Sequence, residues 1–399
     1  MRLNRSAFRL YSSQRGEIMN KRKFITFLAS VSVTSALLYA SSVNAVTAEN
    51  STLPQGWMLW HNYSNYSALD SNLYLRSPDG AVQTVEGDFI HAMNGHFGAS
   101  PFQFTFMAID EKADEWDIFL CDNGKITNLT QNSGFRNEDP KFSPDGRNIV
   151  FKRGYWSNST DNFVYDLAVI NVESGDITML TDTPEEEAMP CFSSDGKSVY
   201  YALYNDSIGS IHCLDTETKT TETIYNQSGI NAYYPVVMDS MLYFTAWTSS
   251  DNHCDRIMCF DGERVTPLPF NCADYDCSDA CPIDDSTMIF SSTAEGSYDL
   301  FFYDGESATR LSELSTDINE LGADFYSYDE YNGNTHADGD VNADGVMNIA
   351  DLVLLSKWLL DSDSTQLNDP LSADLCSDGV LDIFDLCAMR VKLLSSENE

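Results

Sequence analysis

Asp139-Pro140-Lys141-Phe142-Ser143-Pro144-Asp145-Gly146-Arg147-Asn148-Ile149-Val150-Phe151 returns fifty residues later as Met189-Pro190-Cys191-Phe192-Ser193-Ser194-Asp195-Gly196-Lys197-Ser198-Val199-Tyr200-Tyr201. Each copy sets a short run, an Asp-Gly turn and a second, apolar run in the same order, the pattern of two antiparallel strands. Weaker copies follow at Tyr234-Pro235-Val236-Val237 with Leu242-Tyr243-Phe244 and at Cys281-Pro282-Ile283 with Met288-Ile289-Phe290. Gly95-His96-Phe97 with Phe104-Thr105-Phe106 lies upstream. A third strand comes next, as in Asp117-Ile118-Phe119-Leu120 or Leu167-Ala168-Val169-Ile170, and a fourth ends in Asn128-Leu129-Thr130 or Met179-Leu180-Thr181. A period of 45 to 50 residues built this way predicts repeated four-stranded units.

The first unit has strands near residues 58–61, 73–76 and 82–85 but lacks a first strand of its own, and Leu321-Gly322-Ala323-Asp324-Phe325 fits the vacancy. Closing the ring with a strand from the opposite end of the domain removes exposed sheet edges. Six blades are expected over residues 57–326, or five or seven if the insert at 154–163 hides a strand. The Ser-Pro-Asp-Gly turn and the Leu-Thr ending resemble the repeats of TolB-like β-propellers, which implies an all-β propeller for most of this stretch.

A second duplication lies beyond it. Counting Asp340 as position 1, oxygen side chains fall at 1, 3, 5, 9 and 12 (Asp340, Asn342, Asp344, Asn348 and Asp351), with Gly345 at 6 and the Val346 carbonyl at 7. The pattern recurs 34 residues on with Asp374, Asp378, the Val380 carbonyl, Asp382 and Asp385. This is the ligand spacing of an EF-hand loop, where glycine permits the sharp turn that gathers oxygens around a hard cation. Position 12 is Asp where an EF-hand has Glu, and Asn332, Gly333, Asn334 and Gly339 argue against an entering helix, so each unit reads as loop then helix. Two such half-hands over roughly residues 338–395 closely resemble a type I dockerin domain. That resemblance implies a small all-α module that folds on Ca2+ and plugs into a cohesin of a scaffolding protein in cellulosome-like assemblies. The second loop has Cys376 at position 3, so two calcium sites are expected, the second weaker. At positions 10 and 11, where the family's cohesin contacts concentrate, stand Ile349-Ala350 and Ile383-Phe384, and Lys357 and Arg390 on the helices are also within reach of a cohesin. The predicted interface is apolar, and the unlike pairs speak against symmetric dual binding.

At the other end, Asn20-Lys21-Arg22-Lys23, an apolar run over 24–40 and Val43-Asn44-Ala45 form a secretory signal with cleavage near Ala45 and a true start at Met19. The expected organisation is signal 1–45, propeller 46–326, linker 327–337 and dockerin 338–395, secreted and held at a surface complex through the dockerin. No second apolar run is long enough to cross a membrane. The formal charge of −38 disfavours nucleic acid, anionic membranes and strongly anionic polysaccharides. The ten cysteines sit largely on strand-like segments such as Cys121, Cys191, Cys213 and Cys259, with Cys272, Cys277 and Cys281 clustered in a loop, and read as buried free thiols.

Residues just before each predicted first strand are candidates for the channel mouth: Asn94, His96, Glu138, Asp139, Glu186, Glu187, Tyr233, Tyr234, Asp279 and Glu320. Carboxylates that accept hydroxyl hydrogen bonds, with rings that stack on sugar faces, suit a carbohydrate or a cation. Solvated loop charge in an acidic chain accounts for the same residues. Trp156 and Trp247, next to polar loops, are placed to stack. The histidines are scattered without ligand spacing, and neither a Ser-His-Asp elbow nor a phosphate loop is present. The expected function is cohesin docking, with the propeller binding a plant polysaccharide or a protein partner. The rival reading is a glycoside hydrolase or polysaccharide lyase with its centre at the channel mouth.

Overall fold

Strands β1 (Gly56–Tyr63), β2 (Asn72–Arg76) and β3 (Val82–Thr84) are followed by β4 (Phe89–Phe97), β5 (Gln103–Asp110), β6 (Trp116–Asp122) and β7 (Lys125–Asn128). Then come β8 (Arg136–Phe142), β9 (Asn148–Ser157), β10 (Asn162–Asn171) and β11 (Ile177–Met179), and β12 (Glu186–Phe192), β13 (Ser198–Asn205), β14 (Ile208–Asp215) and β15 (Thr221–Tyr225). The last strands are β16 (Ile230–Met238), β17 (Met241–Thr248), β18 (Arg256–Phe260), β19 (Val265–Pro267), β20 (Cys277–Pro282), β21 (Met288–Ser292), β22 (Asp299–Tyr303), β23 (Ala308–Arg310) and β24 (Asn319–Ser327). Two helices, α1 (Ile349–Leu360) and α2 (Ile383–Ser396), end the chain. The computed structural model describes residues 53–110, 115–157, 162–205, 208–248, 254–328, 339–342, 346–360, 365, 367–376 and 381–396. The predicted signal segment with Met19 and Ala45, most of the predicted linker, and Asp344, Asp378 and Val380 lie outside the described residues.

The strands form four-stranded antiparallel sheets in the orders β24-β1-β2-β3, β4-β5-β6-β7, β16-β17-β18-β19 and β20-β21-β22-β23. An eight-stranded sheet joins β8 to β11 with β12 to β15 through a parallel bridge at Tyr165↔Glu186. The expected late strand is in place, since β24 pairs with β1, Leu321 opposite His61 and Phe325 opposite Met58. The insert at 154–163 continues β9 and β10 as one hairpin and adds no strand among the described residues. Cys277 and Cys281 are on β20, not in a loop, and all ten cysteines are free thiols.

The repeated turn explains the register. In Ser143-Pro144-Asp145-Gly146, Ser143 Oγ donates to Asp145 Oδ1 at 2.6 Å, the Arg147 amide donates to the same oxygen at 3.1 Å, and Gly146 takes φ +68°. Ser193, Asp195 and Gly196 repeat this arrangement, with Ser193 Oγ 2.8 Å from Asp195 Oδ1. A Cβ on Gly146 would stand 2.8 Å from that of Ala99, whereas one on Gly175, at φ +73°, meets nothing within 4 Å. Gly146→Ala is expected to cost about 2 kcal/mol and Gly175→Ala about 1 kcal/mol, read from denaturant midpoints, because only the first adds a clash to the left-handed penalty.

Apolar clusters lie between successive sheets. One joins Trp57, Leu59 and Leu73 to Phe97, Phe104 and Phe106, and another joins Met58 and Trp60 to Ile289, Leu300 and Phe302 of the last sheet. Each fully buried side chain of this size contributes about 1.5–3 kcal/mol. The helical segment has its own core of Val341, Leu355, Leu367, Ala373 and Met389, flanked by Leu352, Trp358, Leu359, Leu386 and Leu393.

Candidate functional site

Six strands at matching places in the repeats, β4, β8, β12, β16, β20 and β24, carry a residue in the left-handed region at the corresponding position: Asn94, Asp139, Met189, Tyr234, Asp279 and Gly322, with φ between 52° and 61°, and β4 has a second at His91. The ladder slips at each of these points, for example between Glu138 and Lys141 and between Tyr233 and Val236. Five of the six are not glycine, so each backbone stores about 1–2 kcal/mol that the surrounding sheets must hold. These bulges converge. Asn94 Nδ2 donates to Asp139 Oδ1 at 2.9 Å, the Gly322 amide donates to Asp279 Oδ2 at 3.2 Å, and the Lys141 ammonium lies 4.8 Å from the Tyr234 ring centroid. Asn94, Gly95, Asp139, Pro140, Lys141, Met189 and Tyr234 line one cleft.

Two polar groups flank the bulges. In the first, Arg136 Nε donates to Glu138 Oε1 at 2.7 Å and its Nη2 donates to the Tyr66 hydroxyl at 3.1 Å. Lys152 Nζ lies 3.0 Å from Glu186 Oε1 and 3.5 Å from Glu138 Oε2, 3.9 Å over the Tyr165 ring. Burial alone would lower the Lys152 pKa, but the charges of Glu138, Glu186 and Asp139 hold it above its ordinary value. In the second group, the Tyr233 and Tyr298 hydroxyls donate to Asp255 Oδ2 at 2.9 and 3.3 Å, and Tyr298 also reaches Asp276. Burial, with the nearby Asp255 charge, pushes the Asp279 carboxyl up to about 6, and burial raises that of Asp139.

Of the residues expected at the mouth, Glu138, Asp139, Glu186, Tyr233 and Tyr234 thus belong to these groups, along with Asn94 and Asp279. Glu187 is placed apart: it is buried and accepts from the hydroxyls of Thr181 and Thr183 in the segment that leads into β12. Glu320 has the equivalent place, bonded to Thr316. His96 accepts the Phe142 amide at 3.3 Å, and burial lowers its pKa, so it is a neutral ring inside the bulge layer. Tyr66, Lys152, Tyr165, Asp255 and Tyr298 escaped the sequence reading. Only Lys152 left a signal there, a lysine directly after the apolar Ile149-Val150-Phe151.

At the C-terminal end, the two loops repeat one arrangement atom for atom. Asp351, at the start of α1, accepts the amides of Asn342 at 3.2 Å and Asn348 at 2.7 Å; Asp385, at the start of α2, accepts those of Cys376 at 3.2 Å and Asp382 at 2.9 Å. Asn348 and Asp382 cap the helices through the amides of Ala350 and Phe384. Asp340, Asp351, Asp374 and Asp385 are all buried. In the first loop the donors are oxygens, Asp340, Asn342, Asn348 and Asp351 with the carbonyl of Val346, a set that fits a hard cation. The second puts the Cys376 sulfur among carboxylates. At the loop ends and along the helices, Ile349, Ala350, Lys357, Ile383, Phe384 and Arg390 are exposed, and Val353, Leu360, Val391 and Leu394 extend the exposed apolar surface.

Residues 338–394 match the dockerin type I domain, a family of calcium-binding modules that pair with cohesins and are typical of extracellular cellulosome components. The β domain is similar in fold to TolB from Acinetobacter baumannii, with 14% identity, a TM-score of 0.52, and 68% of this chain on 66% of that one. It is also similar to hydrazine synthase from Kuenenia stuttgartiensis, with 12% identity, a TM-score of 0.57, and 68% of this chain on 46% of that one. Over 108 residues the chain is 29% identical to the uncharacterized peptidase YuxL of Bacillus subtilis (strain 168), which is 27% of this chain and 14% of that protein. The chain thus spans less than two thirds of each relative, and the likeness to the solved structures is one of fold, that of TolB-like propellers. Among the described residues no helix is long and apolar enough to cross a membrane.

Proposed function

We propose that this protein is a secreted cellulosome-type component that docks onto a scaffoldin cohesin through two calcium loops and presents a six-bladed propeller as a binding module for a neutral plant polysaccharide or a protein. The observation that carries the docking half is the duplicated cradle in which Asp351 and Asp385 each gather two loop amides at a helix start. Calcium is held by Asp340, Asn342, Asp344, the Val346 carbonyl, Asn348 and Asp351 in the first loop, and more weakly by Asp374, Asp378, the Val380 carbonyl, Asp382 and Asp385 in the second. Ile349, Ala350, Ile383 and Phe384 form the apolar contact, with Lys357 and Arg390 at its rim. The blade count treats the eight-stranded sheet as two blades, since one bridged residue pair joins its halves. The apolar cluster between the last and first sheets supports a closed ring.

For the propeller, the half-buried Asn94, Asp139, Tyr234 and Asp279 supply acceptors and a ring at one mouth. Trp156, 52% exposed at the end of β9, offers a stacking face beyond it. Trp156→Ala is expected to lower retention on insoluble plant polysaccharide about tenfold, a loss near 1.4 kcal/mol, with unchanged thermal stability. The enzymatic reading keeps support from the raised pKa values of Asp139 and Asp279, as a general acid requires. Incubating the protein with a polysaccharide panel, then measuring both retention and released sugar, separates the two. Retention without release supports the binding module, and reducing or unsaturated product makes the protein a hydrolase or lyase.

A further inference from the structure

We propose that the second dockerin loop is a mixed sulfur and oxygen site that takes a thiophilic divalent cation of the Zn2+ or Cd2+ class in preference to Ca2+, through Cys376 Sγ and the carboxylates of Asp374 and Asp385. The proposal rests on the reading of both loops as cation sites. Ligand atoms of these three residues all lie within 4.8 Å of one another, the sole such group of His, Cys, Asp and Glu among the described residues. Sγ stands 2.9 Å from Asp385 Oδ1 and 3.9 Å from Asp374 Oδ1. Those separations bracket the ~3.6 Å expected between a sulfur and an oxygen on a tetrahedral zinc with its usual bond lengths.

The two carboxylates are already in place, Asp385 being 0% and Asp374 4% exposed, while Cys376 is exposed, so a cation can approach from the sulfur side. Asp385 receives two amides and the thiol, and no lysine or arginine pairs with it among the described residues. Buried carboxylate charge of this kind calls for a cation. The first loop has Asn342 at the position of Cys376, a hard amide oxygen in place of a soft sulfur, so the duplicated loops differ in the property that separates calcium from zinc. On binding, the Cys376 thiol releases its proton to water as the metal–thiolate bond forms, and no electrons change hands.

The test titrates the full chain with Cd2+ in the presence of excess Ca2+, reading the ultraviolet thiolate-to-cadmium charge-transfer band and, separately, calcium-dependent protection of the first loop from proteolysis. One equivalent of Cd2+ should bind and produce the band. Cys376→Ser and Cys376→Asn should each abolish it and weaken Cd2+ binding at least about tenfold, and Cys387→Ser, at the neighbouring exposed thiol, should leave it intact. A band that survives both Cys376 variants, or no Cd2+ uptake against calcium, overturns the proposal. If the first loop still gains calcium protection in that case, the loss is confined to the second-loop proposal. Absence of calcium protection would instead count against the reading of the loops as calcium sites.

Discussion

Asp351→Ala is expected to abolish calcium-dependent cohesin capture, weakening binding by at least about a hundredfold, or close to 2.7 kcal/mol. The carboxylate is fully buried and does two things at once. It accepts the amides of Asn342 and Asn348, which closes the loop onto the start of α1, and in the proposed site it also ligates the cation. Alanine removes both, so the loop loses its closure and its cation together, and the free energy of metal binding no longer supports the fold. Calorimetry against a cohesin, with the melting temperature followed in calcium and in chelator, reads the effect. Asp385→Ala should cost less, because on the proposed reading the second loop, with Cys376 where the first has Asn342, is the weaker calcium site. Equal affinity of Asp351→Ala and the unaltered protein would remove Asp351 from the calcium-organised element.

The second large effect belongs to the β domain. Lys152→Ala is expected to destabilise it by about 2–3 kcal/mol, because the buried ammonium is lost and leaves Glu138 to Arg136 alone and the partly exposed Glu186 without its cation. Arg136 pairs with Glu138, whereas Lys152 bridges Glu138 and Glu186, so the arginine does not replace the lysine for both. The triple change Lys152→Met, Glu138→Gln and Glu186→Gln removes the charges together and should recover most of the loss. Urea unfolding midpoints decide the matter: a single variant within about 1 kcal/mol of the parent would mean that the cluster is solvated and contributes as little as a surface pair.

Much of this architecture was legible from repetition. Aligning Pro140 with Pro190 located the matching strands, and the vacancy in the first unit pointed to the strand that β24 supplies. The dockerin segment was legible because its duplicated spacing is the one a hard cation would require of a loop. The mouth was less so, and Glu187 shows why. The sequence reading placed both Glu186 and Glu187 at the mouth, but with Asp139 and Met189 as the corresponding left-handed residues Glu187 aligns with Asn137, and its carboxylate is taken up by Thr181 and Thr183. Neighbouring residues of a strand face opposite sides, so adjacent glutamates cannot both point into the mouth, and composition alone does not say which one does. Lys152, Asp255 and Tyr298 come from later strands and loops whose convergence depends on how neighbouring sheets pack.

Calorimetric titration of a recombinant type I cohesin into the full chain tests the central claim most directly. The account predicts stoichiometric binding in calcium and a fall in affinity of at least about a thousandfold in chelator, because the loops cannot close without their cation. Binding of equal strength in chelator, or no cohesin binding in calcium, would contradict it.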